Sequence, residues 1–82
     1  MNDIGSIETL GRAWLETRVQ ALVPDEAEIG SDENLLFLGL DSLSVLKLVA
    51  ELKQAGITVS ARELLQEPSI EGWWRLIQAR RP

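Results

Sequence analysis

Neither cysteine nor histidine occurs anywhere in this chain of 82 residues. A domain so short sits near the lower limit of what an apolar core alone can hold, and small folds are commonly stapled by disulfides or a structural metal. Here no thiol is present for a disulfide, and no thiolate or imidazole for a structural zinc. Stability has to come from one hydrophobic core, for which the 45% hydrophobic content suffices, and there is no room for a second domain. The same absence removes the Ser-His-Asp triad and the histidine general base. No catalytic residue and no metal site is expected, so chemistry involving this chain needs another protein to perform it.

Charge narrows the partners. The net charge of −5 and pI of about 4.6 have the wrong sign for tracking a phosphate backbone, so nucleic acid is not an expected partner, whereas a basic protein surface is. Met1 to Leu10 includes Asp3 and Glu8 and lacks the apolar stretch of a secretory signal. The other apolar runs are too short to span a bilayer, and the expectation is a cytoplasmic monomer without a membrane partner.

Periodicity predicts an all-α fold. Ile7, Leu10, Trp14, Leu15, Val19 and Leu22 recur at helical spacing, with Ser6 as a candidate N-cap, giving a first helix over about 6–23 that ends before Pro24. From Pro24 to Asp41 the periodicity vanishes, and Asp25, Glu26, Glu28, Asp32, Glu33 and Asp41 stand without a lysine or arginine. So long a connection needs packing of its own. Ile29, Leu35, Leu36, Phe37 and Leu38 are the candidate anchors, with a short helical turn among them. A second helix is expected over about 42–55, with Gly56 just past its end. On its wheel Val45, Leu48, Val49 and Leu52 form one stripe, while Leu43 and Leu46 lie off it, nearer Lys47. Ile57, Thr58 and Val59 read as extended. Ser60 and Glu63 have capping-box spacing for a short third helix over about 61–66, closed by Pro68. Ser69 caps a fourth over about 69–80, with Ile70, Trp73, Trp74 and Ile77 on one face and Arg80-Arg81 near the negative end of the dipole. Trp14, Trp73 and Trp74 are expected to fill the interior. The sum is one domain, a small four-helix bundle with a long loop between the first two helices.

Ser42 is the residue to which chemistry points. In Asn34-Leu35-Leu36-Phe37-Leu38-Gly39-Leu40-Asp41-Ser42-Leu43 a serine opens an amphipathic helix. Unpaired first-turn amides and the helix dipole favour an anion there, so a phosphodiester on Ser42 would meet a complementary environment. Gly39 is read as leaving room for close approach, and Asp41 as placing a carboxylate beside the hydroxyl. The residues alone leave a second reading open, in which Ser42 is an N-cap and nothing more.

The run Gly39-Leu40-Asp41-Ser42-Leu43, preceded by Asn34-Leu35, resembles the attachment motif of the carrier-protein superfamily of acyl, peptidyl and aryl carriers. The resemblance spans nearly the whole chain and implies a four-helix bundle whose modified serine starts the second helix. It implies that Ser42 accepts 4'-phosphopantetheine from coenzyme A through a separate magnesium-dependent phosphopantetheinyl transferase. The arm's thiol then carries cargo as a thioester. Many peptidyl carriers have two glycines before the aspartate or histidine. Gly39-Leu40 is more typical of aryl carriers of siderophore assembly, and Pro68-Ser69-Ile70-Glu71-Gly72-Trp73-Trp74 is similar to their last helix. Lys47 and Lys53, with Glu51 the only acid on the second helix after Ser42, depart from fatty-acid carriers.

The resemblance therefore implies a non-catalytic carrier that takes an aryl acid from an adenylating enzyme or domain and presents it to a condensation or cyclisation domain. By position in the family fold, Leu43 and Leu46 with Ala61 and Leu65 become candidate partner contacts; otherwise they are scattered surface residues. A peptidyl carrier loaded with an amino acid is the neighbouring alternative, and an unmodified helical interaction domain the alternative from another class.

Overall fold

Four helices follow one another in the computed structural model, which describes residues 7–26 and 28–81: α1 (Ile7–Leu22), α2 (Ser42–Gln54), α3 (Ala61–Gln66) and α4 (Ile70–Arg80). No strand occurs among the described residues, and the predicted all-α bundle with a long first connection and a short third helix is the fold. The side chains of residues 7–10 and the N-cap expected at Ser6 lie outside the described residues. The first helix is not one uninterrupted run: Gly11, at φ 56 and ψ −173, breaks it. Before Pro24 the chain keeps one last helical bond, from the Val23 amide to the Val19 carbonyl at 3.1 Å, and then leaves the helix.

The core is drawn from every element. Leu15 and Val19 of α1, Val45, Leu48 and Leu52 of α2, Leu64 of α3, and Ile70, Trp73 and Ile77 of α4 are all buried. The connections add Leu35, Leu40, Ile57 and Val59. Each such side chain withdrawn from water contributes roughly 1.5–3 kcal/mol. Of the three tryptophans only Trp73 enters fully; Trp14 and Trp74 pack half-buried at the margin, and the Arg81 guanidinium lies 5.5 Å above the Trp74 ring. The Trp73 indole N–H donates to the Leu64 carbonyl at 2.8 Å. That oxygen sits at the end of α3, where helical acceptors lack a partner, so one contact removes two polar liabilities.

Ion pairs cross the helix boundaries. Arg18 of α1 grips Glu51 of α2 with both ends of its guanidinium, and Arg12 reaches Glu71 of α4 at 2.9 Å. Arg80 does more than complement a dipole: it donates to the Thr58 carbonyl at 3.0 Å and pairs with Glu63. Glu63 also completes the predicted capping box, its amide donating to Ser60 Oγ at 3.1 Å and its carboxylate accepting from the Ser60 amide at 3.0 Å. Arg80 first, and then the Ser60 amide, hold the Glu63 carboxyl at about 2.

The long connection is fastened to the start of α4. The Leu35 amide donates to the Pro68 carbonyl at 2.7 Å, and the Glu71 amide to the Ser31 carbonyl at 2.9 Å. Within it, Asn34 Oδ1 accepts from the Leu36 amide at 2.9 Å, and successive bonds run from Phe37 to Asn34, Leu38 to Leu35 and Gly39 to Leu36. The Leu40 amide then reaches back to the Leu35 carbonyl at 3.1 Å. This is the Schellman pattern, with Gly39 at φ 106 in the reversing position; the end of α2 repeats it around Gly56 at φ 90. Leu35 is fully buried and Leu38 packs on the core. Leu36 and Phe37, expected to anchor the loop, instead face outward at 42% and 87% exposure. In a turn this tight, residues pinned on one side leave their neighbours on the other.

The connection delivers Asp41, not Ser42, to the N-cap position of α2. Asp41 is extended at φ −115, and its Oδ1 accepts from the Ser44 amide at 2.8 Å. The reading of Ser42 as a cap is thereby corrected: Ser42 is the first residue of the helix proper. Asp41→Ala should lower the melting temperature clearly, whereas Ser42→Ala should change stability by less than about 0.5 kcal/mol. Thermal melts of both variants check this, and equal losses would contradict the cap assignment. Glu63 supplies a pH test. Its folded value lies below the ordinary 4.5, so its contribution is complete above that pH and is lost as pH falls towards about 2. Urea melts across that window should show the gap between the parent and Glu63→Gln closing, and a constant gap would refute the coupling.

Candidate functional site

Ser42 stands exposed at the first position of α2, with its neighbours engaged in holding the backbone. Asp41 caps the helix, and Leu40, 5% exposed, closes the Schellman turn into the core. Gly39 was read as making room. A Cβ there would meet nothing within 4 Å, so space is not the reason for glycine; the positive φ is. The Asp41 carboxylate, expected beside the hydroxyl, accepts at Oδ1 from the Ser44 amide. Bonds from the Ser44 backbone first, then its side chain, hold Asp41 below the usual carboxylate range, with Lys47 adding a smaller attraction.

The arrangement suits a phosphodiester. Of the first-turn amides, Ser44's is taken by the Asp41 carboxylate and Val45's by the Asp41 carbonyl at 3.2 Å. Those of Ser42 and Leu43 are the ones left to meet an anion, at the positive end of a helix of 13 residues. The chain holds no histidine to act as base, and Asp41 Oδ1 is engaged by the Ser44 amide. The Ser42 side chain is exposed and open to approach from outside. Crevices of 390 and 380 Å³ lie between α3 and α4 and beside the loop, and one of 550 Å³ runs along α1; none is lined by Ser42. Among the described residues no group of three or more carboxylates is placed to hold a metal ion.

Leu43 is 69% exposed, Leu46 53% and Leu65 36%, while Ala61 is half-buried against the core and offers less to a partner. Sequence reasoning missed Phe37, the most exposed large hydrophobic residue of the described chain. The missed signal was the turn: once Leu35 and Leu40 are tied together, Phe37 has to lie on the outer side.

The family described as "Phosphopantetheine attachment site" matches residues 13–77, a span that includes Ser42. Pseudomonine synthase PmsE of Pseudomonas entomophila is 52% identical over 69 residues, 84% of this chain but 11% of that protein. Acyl carrier protein ScoB of Streptomyces coeruleorubidus is 40% identical over 57 residues, 70% of this chain and 65% of ScoB. Nonribosomal peptide synthetase 2 of Cochliobolus heterostrophus is 33% identical over 78 residues, 95% of this chain and 1% of the synthetase. The chain thus spans a small fraction of the two large relatives and just under two thirds of the small one. No solved structure matches it. With the family match running from α1 through most of α4, the chain belongs to the phosphopantetheine attachment-site family, non-catalytic carrier domains that bear a covalent 4'-phosphopantetheine arm.

Proposed function

We propose that Ser42 carries the arm and that the protein is an aryl carrier of siderophore or nonribosomal peptide assembly. The observation that supports the attachment point is the division between Asp41 and Ser42: the aspartate does the capping, so the exposed serine is free for modification without loss of the helix start. In the transfer, Ser42 Oγ attacks the phosphorus of coenzyme A nearer the pantetheine. An O–P bond forms, the bond to the adenosine bisphosphate breaks, and the hydroxyl proton passes to a base of the transferase. Held on Ser42, the arm would supply a thiol able to carry an acyl group as a thioester. An arm that reaches several active sites replaces diffusion with high effective concentration.

The aryl assignment is supported by the resemblance of Gly39-Leu40-Asp41-Ser42 and of Pro68 to Trp74 to aryl carriers. Two of those residues, Leu40 and Trp73, are packing residues at 5% and 1% exposure, so they mark ancestry and do not touch cargo. The resemblance to proteins named synthase and synthetase favours an assembly-line setting, and it equally fits a peptidyl carrier loaded with an amino acid. Adenylating and condensing or cyclising domains would meet the exposed Leu43, Leu46 and Leu65. A cytoplasmic setting supplies the coenzyme A and ATP both steps consume.

Incubation with coenzyme A, magnesium and a broad-specificity phosphopantetheinyl transferase should add one phosphopantetheine to the parent and none to Ser42→Ala, read by intact mass. The modified parent should then be charged by an aryl-acid-activating enzyme. Charging by amino-acid-activating enzymes alone would replace the aryl reading with the peptidyl one, and an unmodified parent would remove the carrier assignment of Ser42 itself.

A further inference from the structure

Phe37, the chain's sole phenylalanine, is 87% exposed although its backbone is held firmly. Its amide donates to the Asn34 carbonyl at 3.1 Å, the next two residues bond back to Leu35 and Leu36, and Leu35 and Leu38 are packed inward. A ring presented on so constrained a turn loses little further entropy when another surface covers it. Its neighbour Leu36, at 42% exposure, extends the same outer side. Fully extended chain from Phe37 to Ser42 would span roughly 17 Å at most, and the turn shortens that, so the ring and the hydroxyl lie within one protein footprint.

The surroundings indicate what covers it. From Pro24 to Leu46 the chain carries Asp25, Glu26, Glu28, Asp32, Glu33 and Asp41 with no lysine or arginine. Ion pairs among the described residues use Glu16, Glu51, Glu63, Glu67 and Glu71, and none of the loop's acids. The complement of an exposed aromatic ring carried on an acidic segment is an apolar pocket rimmed by lysine and arginine. Enzymes that act on the far end of the arm would meet Leu43, Leu46 and Leu65 with their chemistry an arm's length from Ser42. The enzyme that installs the arm has its chemistry at Ser42 Oγ itself: it brings the phosphate of coenzyme A there, and binding that polyanion requires a cationic site. We infer that Phe37, flanked by Leu36, is the apolar anchor by which the phosphopantetheinyl transferase holds this protein; this rests on Ser42 as the attachment residue.

The test is the kcat/KM of arm transfer for the parent, Phe37→Ala, Phe37→Asp and the control Gln78→Asp, which adds the same charge to an exposed position on α4. Intact-mass time courses provide it, with thermal melts alongside. Phe37→Ala should lose about tenfold through KM, Phe37→Asp more, and Gln78→Asp little, with unchanged melting temperatures and full modification at long times. Parent-like kcat/KM in both Phe37 variants, with the parent fully modified, would overturn the anchor and leave Ser42 standing. Equal losses in Phe37→Asp and Gln78→Asp with none in Phe37→Ala would also overturn it, reducing the effect to net charge. A parent that takes no arm would remove the attachment reading and the anchor together.

Discussion

Leu35 is held on every side. Its amide donates to the Pro68 carbonyl, its own carbonyl accepts from Leu38 and Leu40, and its side chain is fully buried. These contacts join the long connection to the α3–α4 junction and end it in a fixed reversal at Gly39. From that reversal Leu40 drops into the core, Asp41 arrives at the cap position and Ser42 begins the helix. A buried amide left without its acceptor would cost about 1–3 kcal/mol, so the connection cannot slide without penalty. The place of the serine is therefore decided by contacts several residues before it, and α2 is aligned to receive it.

Around that connection, charge is sorted. Acids of the helices are consumed internally: Glu51 by Arg18, Glu71 by Arg12, and Glu63 by Arg80 together with its own capping box. Acids of the loop stay outside these pairs, so the connection that leads to Ser42 keeps its negative charge, and Lys47 attracts Asp41 at its end. Such unpaired surface charge adds little to folding and acts mainly on the approach of partners. Leu43, Leu46 and Phe37 are large apolar side chains left exposed on α2 and the connection before it.

Much of this was legible in the residue pattern. The Val45, Leu48, Leu52 stripe of α2, the exposure of Leu43 and Leu46, the Ser60–Glu63 box and the Gly56 terminus all follow from spacing and side-chain chemistry, which are local. What the pattern misjudged depends on tertiary closure. Leu36 and Phe37 are as hydrophobic as Leu35 and Leu38, and the tertiary tie of Leu35 to Pro68 together with the Leu40 to Leu35 closure decides which pair faces in. Serine and aspartate are both good caps, and the choice of Asp41 follows from where the Schellman turn releases the chain. Gly11 breaks α1 with no proline or turn cluster nearby to announce it. The reason for Gly39 was misread as space because glycine permits close approach and positive φ alike; the geometry separates the two.

The central claim is that one serine, set at the first position of α2, bears the arm. Its most direct test is fragmentation of the modified peptide between Arg18 and Lys47, which holds Ser31, Ser42 and Ser44. Ser44 has its amide bound by Asp41, and the Ser31 carbonyl is bound to the start of α4, so neither has the open helix-start geometry of Ser42. Phosphopantetheine is expected on Ser42 alone. Modification on Ser44 or Ser31, or spread among the three, would contradict it.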